Sequence, residues 1–257
     1  MNIIVFSEIN ASMFSEEGVK AYPETLGVCL KNLFEENGNN VTLVKLDENG
    51  AEDFNQDALN TADVAVWWAH WYHGKVQDEL VDKIIERVQK GMGLICLHSA
   101  HKSKVFMKLN GTSGSLKWRE VGEFERLWNI APYHPIAQGI GEYFEIPHEE
   151  MYGERFDIPE DGKIIFISNF EGGNVFRSGV AFDRGYGKVF YFQPGHESYP
   201  TYHQKEVIQV IANAVRWAKP AFFREMTAPN YPAIDEVKSK YEGDQVGVVQ
   251  NADGSNK

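Results

Sequence analysis

Asp63-Val64-Ala65-Val66-Trp67-Trp68-Ala69-His70, followed by Leu94-Ile95-Cys96-Leu97-His98, decides the fold. Each is a short apolar run of the kind that fills a buried strand, and each stops at a histidine. Between them Val76, Leu80, Ile84 and Val88 recur at helical spacing, and Gly91 closes that helix at about Gln89. Strand, helix, strand in this order predicts a parallel sheet.

Working outward, Asn2–Phe6 predicts an opening strand and Val41–Leu46 another. Pro23–Asn37 lies between them with Leu26, Cys29, Leu30, Leu33 and Phe34 at helical spacing, stopped by Gly38. Two such β-α units predict an α/β fold with a doubly wound, mostly parallel sheet. Gly111–Pro135 has little periodicity and reads as an irregular insertion with a functional or partner-binding purpose. Ile164–Asn169, Val175–Phe182 and Lys188–Phe192 predict strands, with a hairpin turn at Asp183–Gly187. Gln204–Trp217 predicts a closing helix, ended by Pro220. Residues 1–220 are therefore expected to form one domain, and 221–257 an arm to about Tyr241 followed by a loose tail. Phe222, Phe223, Tyr231 and Pro232 make the arm apolar enough to predict a homo-oligomer.

The 257 residues are 43% hydrophobic and 13% aromatic, enough for a sizeable core. Thirty-seven acidic residues against 25 basic ones leave a net charge of −12. That balance argues against nucleic acid or an anionic membrane as partner. Two cysteines in apolar runs, no export signal and no window of ~18 apolar residues predict a cytoplasmic location.

Ligands of doubly wound sheets bind beyond the carboxyl ends of the strands. Those ends carry Glu8, His70 with His73, His98 with His101, and His196 with Glu197, while His148, Glu149 and Glu150 cluster further along. His73 and His203 follow aromatic residues and read as structural. Trp67 and Trp68 are consecutive strand residues and belong to opposite core faces, whereas Trp71 and Trp118 lie in loops where they would floor a pocket. Gly91-Met92-Gly93 precedes a strand, so it is no dinucleotide fingerprint, and no phosphate-cradling loop points to a nucleotide cofactor. The elbow Cys96-Leu97-His98-Ser99-Ala100 lacks the glycine pattern of a nucleophile turn, and Cys96 falls inside the strand.

Six ordered strings are similar to the trehalose-utilisation (ThuA-like) family over roughly residues 2–220. They are Val66–His70, Leu97–His101, His134–Ile140, Glu149–Glu154, Phe176–Gly179 and Gly185–Glu197. The resemblance implies a flavodoxin-like sheet of the class I glutamine amidotransferase kind without its cysteine, His98 standing in that place. It also implies disaccharide catabolism alongside a sugar dehydrogenase that makes or consumes a keto sugar.

The chemistry expected is a proton shift beside a sugar carbonyl, not glutaminase chemistry. His98, Glu150 and His196 are candidate ligands of a divalent metal, zinc or manganese. His70 or His101 is the candidate base, and Glu8 or Glu197 would orient a histidine or bind substrate. Lys104, Tyr152 and Arg177 are candidates for substrate oxygens. A non-catalytic sugar-binding or accessory subunit of a dehydrogenase is the alternative.

Overall fold

The computed structural model describes residues 1–51, 53–228, 231, 234 and 235. The chain divides into two units, Met1–Arg224 and Glu225–Lys257, and the fold described below is the first. Its strands are β1 (Asn2–Glu8), β2 (Asn40–Leu46), β3 (Val64–Trp68), β4 (Gly93–Leu97), β5 (Lys117–Asn129), β6 (Tyr143–Gly153), β7 (Lys163–Phe170), β8 (Val175–Arg184) and β9 (Gly187–Phe192). The helices are α1 (Glu16–Ala21), α2 (Leu26–Glu36), α3 (Gln56–Thr61), α4 (Asp78–Gln89), α5 (Lys104–Asn110) and α6 (Lys205–Ala218).

All nine strands join one sheet in the order β2-β1-β3-β4-β9-β8-β7-β5-β6. From β2 to β9 every pairing is parallel, and β2-β1-β3-β4-β9 is the 2-1-3-4-5 order of a flavodoxin-like sheet. From β9 to β6 every pairing is antiparallel. The expectation of a mostly parallel sheet is thus corrected to a mixed one. The physical reason is that strands added by hairpins, such as β8-β9 around Gly185-Tyr186, need no crossover helix.

The parallel half has a core on each face. Val5, Val66, Ile95 and Phe190 pack with α2 and α6, while Phe6, Trp67, Cys96 and Tyr191 pack with α4 and α5. Trp67 and Trp68 do take opposite faces, both fully buried. The largest departure from the sequence reading is Gly111–Pro135, which contains the long strand β5. Residues 117–121 of β5 are exposed, and its register to β6 slips on either side of Glu123. A strand that is solvated at one end and places Glu123 and Glu125 at its inward positions shows no apolar alternation in sequence.

At the end of this unit the chain turns back onto α4. Arg224 N donates to Lys90 O at 2.8 Å, and the Arg87 guanidinium lies 4.1 Å from the Phe223 ring centre. Tyr231 is exposed; Pro232 and the tail beyond Tyr241 fall outside the described residues. Among the described residues no helix is long and apolar enough to cross a membrane.

Register carries the fold to the site. Ser7 pairs with Trp68, Trp68 with Leu97, and Leu97 with Phe192, so the carboxyl ends of four parallel strands form one rim.

Candidate active site

The rim holds three imidazoles from three strands. His70 follows β3, His98 follows β4, and His196 follows β9 after Gln193-Pro194-Gly195. Their ring centres are 5.9 Å (His70–His98), 5.2 Å (His70–His196) and 5.5 Å (His98–His196) apart, all edge-on. A cavity of about 520 Å³ opens beside them, lined by His70, His101, Glu150, Tyr152, His196 and Glu197 among others, with the exposed rings of Trp71 and Trp118 also in its wall.

The partners of each imidazole fix where its protons sit, because a carbonyl or carboxylate can only accept and a backbone N–H can only donate. His70 Nδ1 lies 3.0 Å from both oxygens of Glu197 and so donates, and in the neutral tautomer the lone pair is on Nε2. Ser12 Oγ also donates to Glu197, and Asn10 Nδ2 reaches it at 3.4 Å. Burial alone would raise the Glu197 carboxyl, but the His70 hydrogen bond and the nearby His196 hold it far below the usual range.

His98 takes the left-handed conformation (φ +51°) at the end of β4, a backbone state costing a non-glycine residue about 1–2 kcal/mol. The bend puts the ring under the rim, where Nδ1 donates to Gln193 O at 2.9 Å. Nε2 faces Glu150 Oε2 at 2.9 Å and Tyr152 Oη at 3.4 Å. The Glu150 contact is close but oblique, so that oxygen makes an ion-pair contact yet accepts no aligned hydrogen bond. Burial would lower the His98 pKa, but Glu150 and Glu149 outweigh it and push it up to about 9, so His98 is an imidazolium at neutral pH. The same pairing holds Glu150 below its ordinary value against its burial.

His196 is the reverse of His70. Ser198 N donates to its Nδ1 at 3.1 Å, so the neutral ring carries its proton on Nε2, which faces Glu120 Oε1 at 3.4 Å. Burial lowers its pKa to about 4. Gly195 sets its position: φ is +135°, and a Cβ there would sit 2.0 Å from Tyr202 Oη. Trp68 Nε1 donates to Gly195 O at 2.9 Å. Glu149, fully buried, accepts from the backbone N–H groups of Glu150, Gly195 and His196 and from Thr201 Oγ1. His101 donates Nδ1–H to Gly114 O at 2.6 Å, keeps Nε2 bare, and is driven by burial to about 3.

Other sequence candidates take different places. Glu8 is outside the cavity lining; its carboxylate accepts from the backbone N–H groups of His70, Trp71 and Tyr72 and ties β1 to the turn carrying His70. Lys104 is corrected out of the site, since Nζ binds Val76 O at 2.7 Å and Asp78 Oδ1 at 2.9 Å. Arg177 likewise is held by both oxygens of Glu154 at 2.8 and 2.9 Å. Each long cation is turned to a fixed carboxylate on a neighbouring element. Glu120, Ser12, Ser99 and Lys102 line the cavity and were missed. Ser99 stands within the string Leu97–His101 and Lys102 one residue beyond it, and Ser99 Oγ lies 2.9 Å from Tyr152 Oη. Glu120 carried no sequence signal; burial and repulsion by Glu150 and Glu197 raise its pKa.

A family model described as trehalose utilisation, ThuA, matches residues 10–218. The chain belongs to the ThuA family. A ThuA-like protein of Parabacteroides merdae has a similar structure, with a TM-score of 0.65 at 14% identity, covering 90% of this chain and 94% of that one. A ThuA-like protein of Bacteroides uniformis follows at 0.59 and 14%, covering 84% and 90%. A cytoplasmic protein of Salmonella typhimurium gives 0.56 at 16% identity, covering 86% and 100%. At such identities these likenesses show a shared fold. No curated protein matches the chain.

Proposed function

We propose that this ThuA-family chain is an enzyme of sugar utilisation that moves a proton beside the carbonyl of a keto sugar. One observation carries the reading: four buried or half-buried histidines around one cavity have different hydrogen-bond partners, which select different tautomers. His70 and His101 present bare Nε2 atoms, His196 presents an N–H, and His98 is a cation. A proton shift needs all three, a base, a donor for the developing oxyanion and a positive charge. His70 Nε2 takes the carbon-bound proton while Glu197 stabilises the imidazolium that forms, the division of labour of a carboxylate–histidine pair. His196 Nε2–H and the His98 charge stabilise the enediolate, the His70 imidazolium returns the proton to the neighbouring carbon, and the bare Nε2 of His101 accepts from a substrate hydroxyl. Trp71 and Trp118 offer flat apolar faces to a sugar ring. The family's description supports a sugar as substrate, and a sugar dehydrogenase would supply the ketone.

The flavodoxin-like order and the left-handed elbow at His98 support kinship with the amidotransferase fold, without its chemistry. Burial pushes the Cys29 thiol up to about 11 and Cys96 higher still, away from a thiolate nucleophile.

The test is deuterium incorporation next to the carbonyl of keto-disaccharides in heavy water, followed by NMR. His70→Ala should slow exchange by about 10²–10⁴-fold. Saturable sugar binding with no exchange in the unaltered protein would replace this reading with that of a binding subunit.

A metal-assisted variant has its own support. The ligand atoms of His98, Glu150 and His196 all lie within 4.8 Å of one another, and Glu150 Oε2 accepts no hydrogen bond. Zinc or manganese there would displace the Nε2 protons of both histidines, so binding would strengthen as pH rises. Elemental analysis of the protein beside His98→Ala decides it: stoichiometric metal lost in the variant supports the centre, and none in either removes it.

A further inference from the structure

A second cavity, of about 440 Å³, lies on the α2 side of the sheet, at the carboxyl ends of β1 and β2. Ser7 is at its floor, 1% exposed, and Ser7 Oγ has no hydrogen-bond partner among the described residues. That hydroxyl points at the first turn of α2: a Cβ on Gly27 would stand 2.6 Å from it, so only glycine admits the approach. Thr25 Oγ1 caps Val28 N, and Thr25, Gly27 and Val28 of this first turn line the cavity. The walls are apolar, made by Ile9, Phe14, Val28 and Leu43, and Phe14 is 64% exposed. Lys45 stands at the mouth with Glu24 and Asp47, and the Asp47 carboxylate is turned back to accept from Asn49 N.

We propose that this cavity is a second binding site, independent of the sugar chemistry, for a small organic carboxylate with an apolar body. The carboxylate accepts from Ser7 Oγ and from the positive end of α2, Lys45 covers its charge, and the body packs on Phe14 and Leu43. The arrangement answers the one buried hydroxyl here that the fold leaves unused, since an unpaired buried donor is costly and any acceptor reaching it relieves that cost. The site also adjoins the first one. In the single turn Ala11–Phe14, Ser12 lines the catalytic cavity and bonds Glu197 while Phe14 walls this cavity, so an occupant bears on the turn that holds the His70 partner.

Benzoate is the probe, titrated into the full chain by ligand-observed NMR, with benzamide as the uncharged control. Saturable one-to-one binding of benzoate is expected, with benzamide weaker. Lys45→Glu and Phe14→Ser, both surface changes, should each weaken it by about ten-fold or more. Ser7→Ala removes an oxygen that no described group uses and should weaken binding while leaving the fold intact. Absence of saturable binding at millimolar benzoate would overturn the proposal. So would equal affinity in the Lys45 and Phe14 variants, or benzamide binding as tightly as benzoate.

Discussion

The parallel and antiparallel halves of the sheet contribute to the cavity in different ways. The parallel half supplies imidazoles whose protons are fixed by buried partners, Glu197 for His70 and Gln193 O for His98. The antiparallel half supplies carboxylates and an aromatic wall: Glu149, Glu150 and Tyr152 from β6, Glu120 and Trp118 from β5. The imidazoles therefore sit on the rim that crossovers build, and the carboxylates facing them come largely from strands added by hairpins. Beside the β8-β9 ladder, two of the side-chain contacts between the halves are His98 with Glu150 and Glu149 with the loop of His196.

Breaking the second contact should have the largest effect. Glu149, fully buried, satisfies three backbone N–H groups and a hydroxyl. Glu149→Ala leaves those donors unpaired and should cost about 3–5 kcal/mol in a urea unfolding experiment. Glu149→Gln keeps an acceptor oxygen and should cost visibly less. Equal costs would mean that packing, not hydrogen bonding, joins the halves.

The first contact is sharpened by pH. The His98 pKa is raised to about 9, so its stabilisation of the metal-free protein is complete below about 6.5 and lost as pH rises towards 9. His196 and His101 are lowered to about 4 and about 3, so their contribution is complete above about 6.5 and is lost as pH falls towards those values. Glu197, also lowered, adds to the acid side. Urea midpoints across pH 4–10 should therefore peak near neutrality, and His98→Gln should flatten the alkaline limb while weakening the acid limb through the loss of its hold on Glu150. An unchanged alkaline limb in that variant would place the cation elsewhere.

How far the sequence revealed each half follows from the same contrast. β1, β3, β4 and β9 are short runs buried on both faces, and α2, α4 and α6 are amphipathic, so composition and period agreed there. The strand-end histidines could be placed for that reason. β5 could not, because its start is solvated and two of its three inward positions are the glutamates Glu123 and Glu125. β6 went unread as a strand although Glu150 and Tyr152 were picked out from their string. Lys104 and Arg177 show a different limit. The reach of a long side chain depends on which carboxylate its neighbours offer, and spacing along the chain does not contain that.

The wall contributed by β5 should matter for binding rather than for the proton step. Trp118 is 64% exposed and lines the cavity from a half-strand with no buried side chain, whereas Trp71 lines it from the turn that Glu8 pins. Trp118→Ala should raise KM by about three- to ten-fold, the worth of one stacked sugar face, with kcat little changed. A fall in kcat without a rise in KM would move β5 from the wall into the chemistry. Lys104→Ala sets the floor of the scale. Its ion pair with Asp78 lies outside the cavity and is solvated, so turnover should match the unaltered protein, while loss of the bond to Val76 O lowers the melting temperature only slightly. A loss of turnover there would mean that the cation leaves Asp78 when substrate binds, and the division between a fixed rim and a binding wall would have to be redrawn.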